Sequence, residues 1–389
     1  MKIILLIHHE NSLGYSMLRY ANFLNQGMLK RGHDVEIWGP KLYLSNHNLP
    51  DGLKKWLRYI DQFVIFPLWF KIKSKDLPSS TLYVLIDQAL GIWMPLLKNK
   101  RHVVHCHDFI ALKSALDRIN ENPTSWTGKI YQKLILKGFS KSNCFISISK
   151  NTQEELIQFL NKKPALHAQV YNAIDPLFIP GSSDVARNAI GKYLELDVKN
   201  GYILHVGGNT FYKNRVGVVE LYNSWRNMTK SKLPLLMVGS APDANLIEHF
   251  EASPFQKDIY FLVKVDDMLL LKAYQGASVF VFPSLTEGFG FPIAEAMAVG
   301  CPVMTTDEAP MNEVGGTAAV YIRSCQNKEG VGAWAKESAK VLEKVLQLTE
   351  EERANMVLKG LANAQRFGED RISDEVERIY KKIVANEVH

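Results

Sequence analysis

Cysteine is scarce in this 389-residue chain: there are four, Cys106, Cys144, Cys301 and Cys325, and no two form a C-x-x-C arrangement. That excludes a small scaffold stapled by disulfides and a cysteine-based structural zinc site. Their mostly apolar neighbours suggest reduced core thiols of a cytoplasmic protein. Long apolar runs are missing as well, and none approaches the ~18 residues that a membrane-spanning helix needs. The opening MKIILLIHHE breaks off at His8, His9 and Glu10. That is too early for a secretory signal, so it reads as a buried first strand. No Asp-x-Asp pair is present to hold Mg²⁺ or Mn²⁺. His8, His9, His33 and His205 fall at no metal-ligand spacing. No metal and no cofactor is therefore expected. Neither ENSLGYS after the first strand nor GGNTFYK at 207–213 fits G-x-G-x-x-G, which sets aside a nicotinamide-dependent oxidoreductase.

What is present is an ordinary globular composition, 47% hydrophobic and 22% charged, over a length that suits two domains. The charge is uneven. Residues 1–180 hold 23 Lys and Arg against 13 Asp and Glu, a balance of +10, while residues 181–389 hold 23 against 27, a balance of −4. Two halves of opposite charge point to two domains with different partners, the basic one facing an anion or a membrane surface. Both halves alternate strand-length apolar runs with helical periodicity. Ile3–Ile7, Val35–Trp38, Thr81–Ile86, Val103–His107 and Cys144–Ser147 alternate with helices in the first half. Tyr202–Val206, Leu235–Val238, Ile259–Leu262, Val279–Phe282 and Pro302–Thr305 do so in the second. This is the pattern of α/β, doubly wound parallel sheets. The turn-rich Pro176–Ser183 is the expected linker, which gives domains at 1–180 and 184–370, and residues 371–389 are expected as a terminal helix packing back on the first domain. Ligands of such folds bind beyond the carboxyl ends of the strands, so the site is expected in a cleft between the domains.

The sharpest constellation is VFVFPSLTEGFGFPIAEAMAVGCPVMTT, residues 279–306. A buried strand runs into a loop with Glu287, Gly288 and Gly290, followed by a helix opened by Pro292 and closed by Gly300. Glycine lets this backbone approach a ligand closely, and the free N–H groups of a helix start favour an anion. Glu287 on the loop and Glu295 in the expected first helical turn are spaced to reach both ends of an extended ligand. The plainer reading of Glu295 is a carboxylate settled by the helix dipole.

Glu287-GFGFPIA-Glu295 resembles the E-x7-E signature of retaining GT-B glycosyltransferases, glycosyltransferase family 4 in particular. The resemblance extends to Gly207-Gly-Asn-Thr-Phe-Tyr-Lys213-Asn214, to Val170-Tyr-Asn-Ala-Ile-Asp-Pro and to Ala309-Pro-Met-Asn-Glu313-Val. It implies a UDP- or GDP-sugar donor (UDP favoured) held by the second of two Rossmann-like domains, retention of configuration and no obligatory metal. By the same resemblance Glu287 contacts the donor sugar, and Gly288, Phe289, Gly290 and Phe291 form the loop around sugar and diphosphate. Glu295 binds the ribose, Lys213 meets the diphosphate after Gly208 and Asn209, and the backbone at Lys264 and Val265 pairs with the base. The family's arginine five residues before the lysine is replaced by Gly208. Arg215 then either supplies the second positive charge or is a surface arginine at a helix start.

In the first half, the loop carrying Gly14 resembles the family's diphosphate or acceptor loop. His107 matches its active-site histidine, with Asp108 as a polar neighbour that orients the acceptor. His105 is expected to be a buried histidine bonded to backbone. The stretch 53–75 mixes Lys and Arg with Trp56, Trp69 and several Phe. It reads either as an amphipathic helix covering the sheet or as a face for an anionic membrane. The expected function is transfer of a hexosyl unit to a saccharide or lipid-linked saccharide in polysaccharide biosynthesis, in the cytoplasm or on the inner membrane face, with no nucleic acid involved. A non-catalytic nucleotide-sugar-binding partner subunit is the other reading.

Overall fold

The structure, a computed structural model, describes all residues except 10–14, 42, 45–50, 326–329 and 386–389, and describes 15, 16 and 51–55 by backbone only. The chain forms two compact units: Met1–Ala173 together with Glu369–His389, and Ile174–Gly368.

Unit 1 is built on β1 (Lys2–Leu6), β2 (Asp34–Trp38), β3 (Leu82–Leu85), β4 (Arg101–Cys106), β5 (Cys144–Ser147) and β6 (Leu166–Gln169). Their order is β2-β1-β3-β4-β5-β6, and every pairing is parallel. Unit 2 holds β7 (Ile203–Val206), β8 (Leu235–Gly239), β9 (Ile259–Val263), β10 (Val279–Phe282), β11 (Val303–Thr306) and β12 (Val320–Ile322). These run β12-β11-β10-β7-β8-β9, again all parallel. Parallel strands need both faces covered, which is why the central ones are unbroken apolar runs such as LYVL in β3 and VFVF in β10. The edge strands β6 (LHAQ) and β12 (VYI) are short and less apolar, and the sequence pattern does not announce them.

The turn-rich 176–183 segment is packed onto unit 2 rather than free. Phe178 lies against Tyr274 at 5.9 Å, Gln275 Nε2 donates to Ile179 O at 2.9 Å, and Ser182 caps the helix Ser183–Leu194. The chain enters unit 2 at Ile174 and leaves it after Gly368, with Ile174 N donating to Phe367 O at 3.0 Å.

The helix Glu369–Val384 belongs to unit 1. Ile372, Val376, Ile379, Tyr380 and Ile383, spaced for one helical face, are buried in the same core as β1, β3 and β4. Its polar edge meets the end of the helix Tyr15–Lys30: Arg31 pairs with Asp374 at 2.5 Å and His33 with Glu377 at 2.8 Å. The segment 51–73 has two faces. Phe66 and Phe70 are buried against Trp38, Tyr83 and Trp93, so one face covers the sheet, and the opposite face is exposed.

Because Ile372 is fully enclosed in unit 1, Ile372→Ala should lower stability by about 3 kcal/mol, the range for a buried Ile truncated to Ala. Urea unfolding should show a reduced midpoint with an unchanged slope. An unchanged midpoint would mean the helix contributes nothing to that core.

Candidate functional site

In unit 2 the chain runs from β7 to β8 and β9 on one side and to β10, β11 and β12 on the other, so the topological switch lies between β7 and β10. The crevice at the carboxyl ends of these strands is where doubly wound sheets take ligands. After β7 come Gly207, Gly208 and Asn209, then a short turn, Phe211–Lys213, and the helix Arg215–Met228. After β10 comes the loop with Ser284 and Glu287. The two loops are tied together: Leu285 N donates to Tyr212 O at 2.8 Å, and Ser284 Oγ lies 2.7 Å from both Tyr212 O and Glu287 Oε1.

Lys213 Nζ is 2.7 Å from Glu287 Oε1, and both side chains are largely buried. The ammonium also sits 4.9 Å above the Phe282 ring. Gly290 has φ 101°, a left-handed value suited to glycine, and it opens the helix Phe291–Ala298. Phe289 is buried between Phe291 and Phe367, so its side chain anchors the loop. Glu295 is the fifth residue of that helix, which corrects the expectation of a first-turn position. It is buried, beyond the reach of the helix-start dipole, with Tyr274 Oη donating to Oε2 at 3.2 Å.

Arg215 also departs from expectation, because it is buried rather than a surface residue. Nη1 donates to Asn209 Oδ1 and to Ser240 O at 2.9 Å, bridging the ends of β7 and β8. Its Nε and Nη2 are buried without a hydrogen-bond partner among the described residues. Burial pushes the guanidinium pKa down, and the nearby Asp243 carboxylate works the other way. Gly239, with φ 146°, brings the end of β8 so close to Gly207 O that a Cβ there would lie 2.0 Å from it. Lys264, directly after β9, is exposed and takes a φ of 57°, which costs energy for a non-glycine residue; Val265 beside it is half-buried.

Unit 1 has its own switch point, between β1 and β3. His107, directly after β4, is buried. Its N–H donates to Gln88 Oε1 at 3.0 Å, and Nε2 lies 2.7 Å from Ile86 O. Since that carbonyl only accepts, Nε2 carries the proton and Nδ1 is left as a lone pair. Gln88 Nε2 donates to Asp108 O at 2.5 Å. The Asp108 carboxylate accepts from Ile110 N at 2.9 Å, tying one of its oxygens to the start of the helix Ile110–Ala115. His105 is buried as expected, but its partners are hydroxyls rather than backbone: Tyr20 Oη lies 2.5 Å from Nδ1 and Tyr380 Oη 2.9 Å from Nε2. Tyr20 also stands edge-on to His107 at 4.6 Å. Gly14 lies outside the described residues.

Four contributors escaped the sequence reading: Ser284, Gln88, and the pair His8 and Asp87, whose Nε2 and Oδ2 are 3.3 Å apart. Each follows the carboxyl end of a strand, so polar residues at every strand end would have found them. Among the described residues, no group of three His, Cys, Asp or Glu side chains is placed to hold a metal ion.

Two six-stranded, doubly wound parallel sheets with polar groups gathered at their switch points are the GT-B architecture. Residues 200–349, all within unit 2, match the family Glycosyl transferases group 1. It is 26% identical over 254 residues to O-antigen chain mannosyltransferase B of Escherichia coli, covering 64% of this chain and 63% of that protein. It is 26% identical over 271 residues to O-antigen chain mannosyltransferase RfbU of Salmonella typhimurium, covering 66% and 72%. The chain thus spans just under two thirds of the Escherichia coli relative. Among solved structures it superposes on Anabaena Alr3699/HepE in complex with UDP, with a TM-score of 0.73 at 15% identity over 98% of this chain and 100% of the other. WaaG, a glycosyltransferase involved in lipopolysaccharide biosynthesis, gives 0.69 at 12% identity over 97% and 99%.

Burial drives the pKa of His105, and likewise of His205 beneath the β7 loop, down to about 3. Unfolded, each titrates near 6.5. Between these values the unfolded chain binds more protons, so their contribution is complete above about pH 6.5 and is lost as pH falls toward 3. The melting temperature should decline across that window, and His105→Gln should remove about one proton from the slope. An unaltered slope would show that His105 is not held neutral.

Proposed function

We propose that this chain is a retaining hexosyltransferase that moves a sugar from a nucleoside diphosphate to a saccharide or lipid-linked saccharide acceptor, without a metal. The observation that carries this reading is the Lys213–Glu287 pair at the β7/β10 switch point, with the unpaired Arg215 N–H groups beside it. A leaving nucleoside diphosphate gathers negative charge as its bond to the sugar breaks. Lys213 and the Arg215 guanidinium are fixed donors for that charge. Arg215 takes the second cationic role that Gly208 leaves open. Glu287 meets the sugar hydroxyls, where its carboxylate stabilises the oxocarbenium character that develops as the bond breaks. Glu295 meets the ribose, and the backbone at Lys264 and Val265 meets the base.

Departure of the diphosphate precedes attack by the acceptor on the same face, so configuration is retained. Two sequence relatives are named O-antigen mannosyltransferases, and Anabaena HepE was solved with UDP and with UDP-glucose. These support a hexosyl unit and a place in polysaccharide biosynthesis, with UDP the favoured carrier.

Contacts to the sugar strengthen as it becomes positive, whereas ribose contacts hold donor and transition state alike. Glu287→Gln should therefore depress turnover far more than donor affinity, and Glu295→Gln should raise the donor KM with a smaller effect on turnover. Arg215→Gln should weaken nucleoside-diphosphate binding by about 1–3 kcal/mol. Steady-state kinetics with UDP-glucose and GDP-mannose in EDTA, beside calorimetry with UDP and GDP, check all three. Full turnover by Glu287→Gln overturns the site, and a strict Mn²⁺ requirement overturns the metal-free scheme.

The chain's partner surface is proposed to be an anionic membrane. Trp56, Ile60, Val64, Leu68 and Ile72 recur every four residues along 51–73 and are 41–76% exposed. Four-residue steps drift by about 40° each on an α-helix. The wider π-helical turn Asp61–Ile65 winds more slowly and takes back part of that drift. A ring series Trp56, Tyr59, Phe63, Tyr131 links this segment to the helix Trp126–Phe139. That helix repeats the pattern with Trp126, Ile130 and Leu134, 40–76% exposed. Residues 51–75 and 126–141 hold ten Lys and Arg against two Asp, and one of those, Asp61, is buried. Apolar ridges with interfacial Trp and flanking Lys suit the headgroup region of anionic lipid. The protein should pellet with phosphatidylglycerol vesicles at low salt and release as salt rises, since exposed charges are screened beyond about 10 Å at 0.1 M. Leu68→Glu with Ile72→Glu should abolish pelleting, and equal binding to neutral vesicles would count against the proposal.

A further inference from the structure

Ser284, two residues past β10 in unit 2, is fully enclosed, and its backbone is pinned from both sides. Asn214 Nδ2 donates to Pro283 O at 3.2 Å from the β7 loop, and Thr306 Oγ1 donates to Ser284 O at 2.8 Å from the end of β11. The hydroxyl therefore stands at a fixed point. It has one proton and two near acceptors, Tyr212 O and Glu287 Oε1, each at 2.7 Å, with Thr286 O farther off at 3.4 Å. Leu285 N already serves the Tyr212 carbonyl at 2.8 Å, whereas Glu287 is a carboxylate, and a charged acceptor makes the stronger bond. The proton is thus drawn to Glu287. Ser284 Oγ and Lys213 Nζ both reach the same carboxylate oxygen, Oε1. Oε2 has no hydrogen-bond partner among the described residues, which leaves it for a ligand.

The two anchors differ in what competes for them. In the transfer proposed above, Lys213 meets the diphosphate, so an incoming donor draws the ammonium away from Glu287. Ser284 has no such rival, because it is enclosed and its other near acceptor is already served. We propose that Ser284 is a positioning residue for the transfer. It holds Oε1 of Glu287 in place while Lys213 turns to the diphosphate, so that Oε2 stays on the donor sugar as positive charge develops there. Such stabilisation is largest when the group is fixed beforehand, because nothing then has to reorganise during the reaction. Ser284 acts through Glu287 and does not touch the donor. The proposal rests on the glycosyltransferase reading and on the assignment of Glu287 to the sugar.

The test uses the full chain with UDP-glucose or GDP-mannose and water as acceptor, following release of the nucleoside diphosphate. Ser284→Ala removes the hydroxyl without orphaning Tyr212 O, which keeps Leu285 N. It should lower kcat by about 10-fold to 100-fold, the scale of one hydrogen bond to a charged group. Affinity for UDP and GDP, read by calorimetry, should stay at the wild-type value and report an intact fold. A double-mutant cycle separates positioning from general support of the loop. With the carboxylate removed in Glu287→Ala, adding Ser284→Ala should cost nothing more. Wild-type kcat in Ser284→Ala, a matching loss of UDP and GDP affinity, or an additive loss in the double variant each overturns this inference alone. A wild type that releases no nucleoside diphosphate from either donor overturns the glycosyltransferase reading and this inference together.

Discussion

A parallel sheet cannot leave a face in water. In both units every strand pairing is parallel, so helices must cover both sides and the central strands become unbroken apolar runs. With the faces sealed, polar side chains that are to meet a ligand gather where strands end. His8, Asp87 and His107 stand just past β1, β3 and β4, and Lys213 and Glu287 just past β7 and β10. The winding order then selects which ends matter, because only at a switch point do neighbouring loops diverge and leave a crevice.

Within unit 2 the crevice is built from charge that is not fully satisfied. The Lys213 ammonium is shared between Glu287 and the Phe282 ring, and Arg215 keeps two nitrogens buried and unbonded among the described residues. An unmet buried donor costs about 1–3 kcal/mol, more when charged. The proposed donor diphosphate, placed against those nitrogens, would offset that cost. Unit 1 shows the opposite economy. His105 is bonded to two tyrosine hydroxyls and His107 to a backbone carbonyl, which fixes the His107 proton on Nε2.

The fold was largely legible because central strands such as Leu82–Leu85 and Val279–Phe282 carry the burial signal on every residue. The edge strands β6 and β12 were not, since LHAQ and VYI are short and half-buried. Motif residues were visible as positions, but their surroundings were not. Arg215 at a helix start looks exposed in sequence, and only the approach of Asn209 and the β8 end encloses it. Glu295 falls just past the first turn because the helix begins at Phe291, one residue before the expected opening at Pro292. The link between Tyr20, His105 and Tyr380 joins residues up to 275 apart in sequence, beyond any local pattern.

The helix Glu369–Val384 completes unit 1, yet it follows the whole of unit 2 in the chain. During synthesis the ribosome must therefore make Ile174–Gly368 before unit 1 can close, an interval of about 10–40 seconds at the usual 5–20 residues per second. Over that time the β1, β3 and β4 side of the first sheet waits with its apolar face uncovered, and at the end of it unit 2 has every residue it needs. The nascent chain thus passes through a stage in which the later unit is finished and the earlier one presents a sticky surface suited to a chaperone's grip.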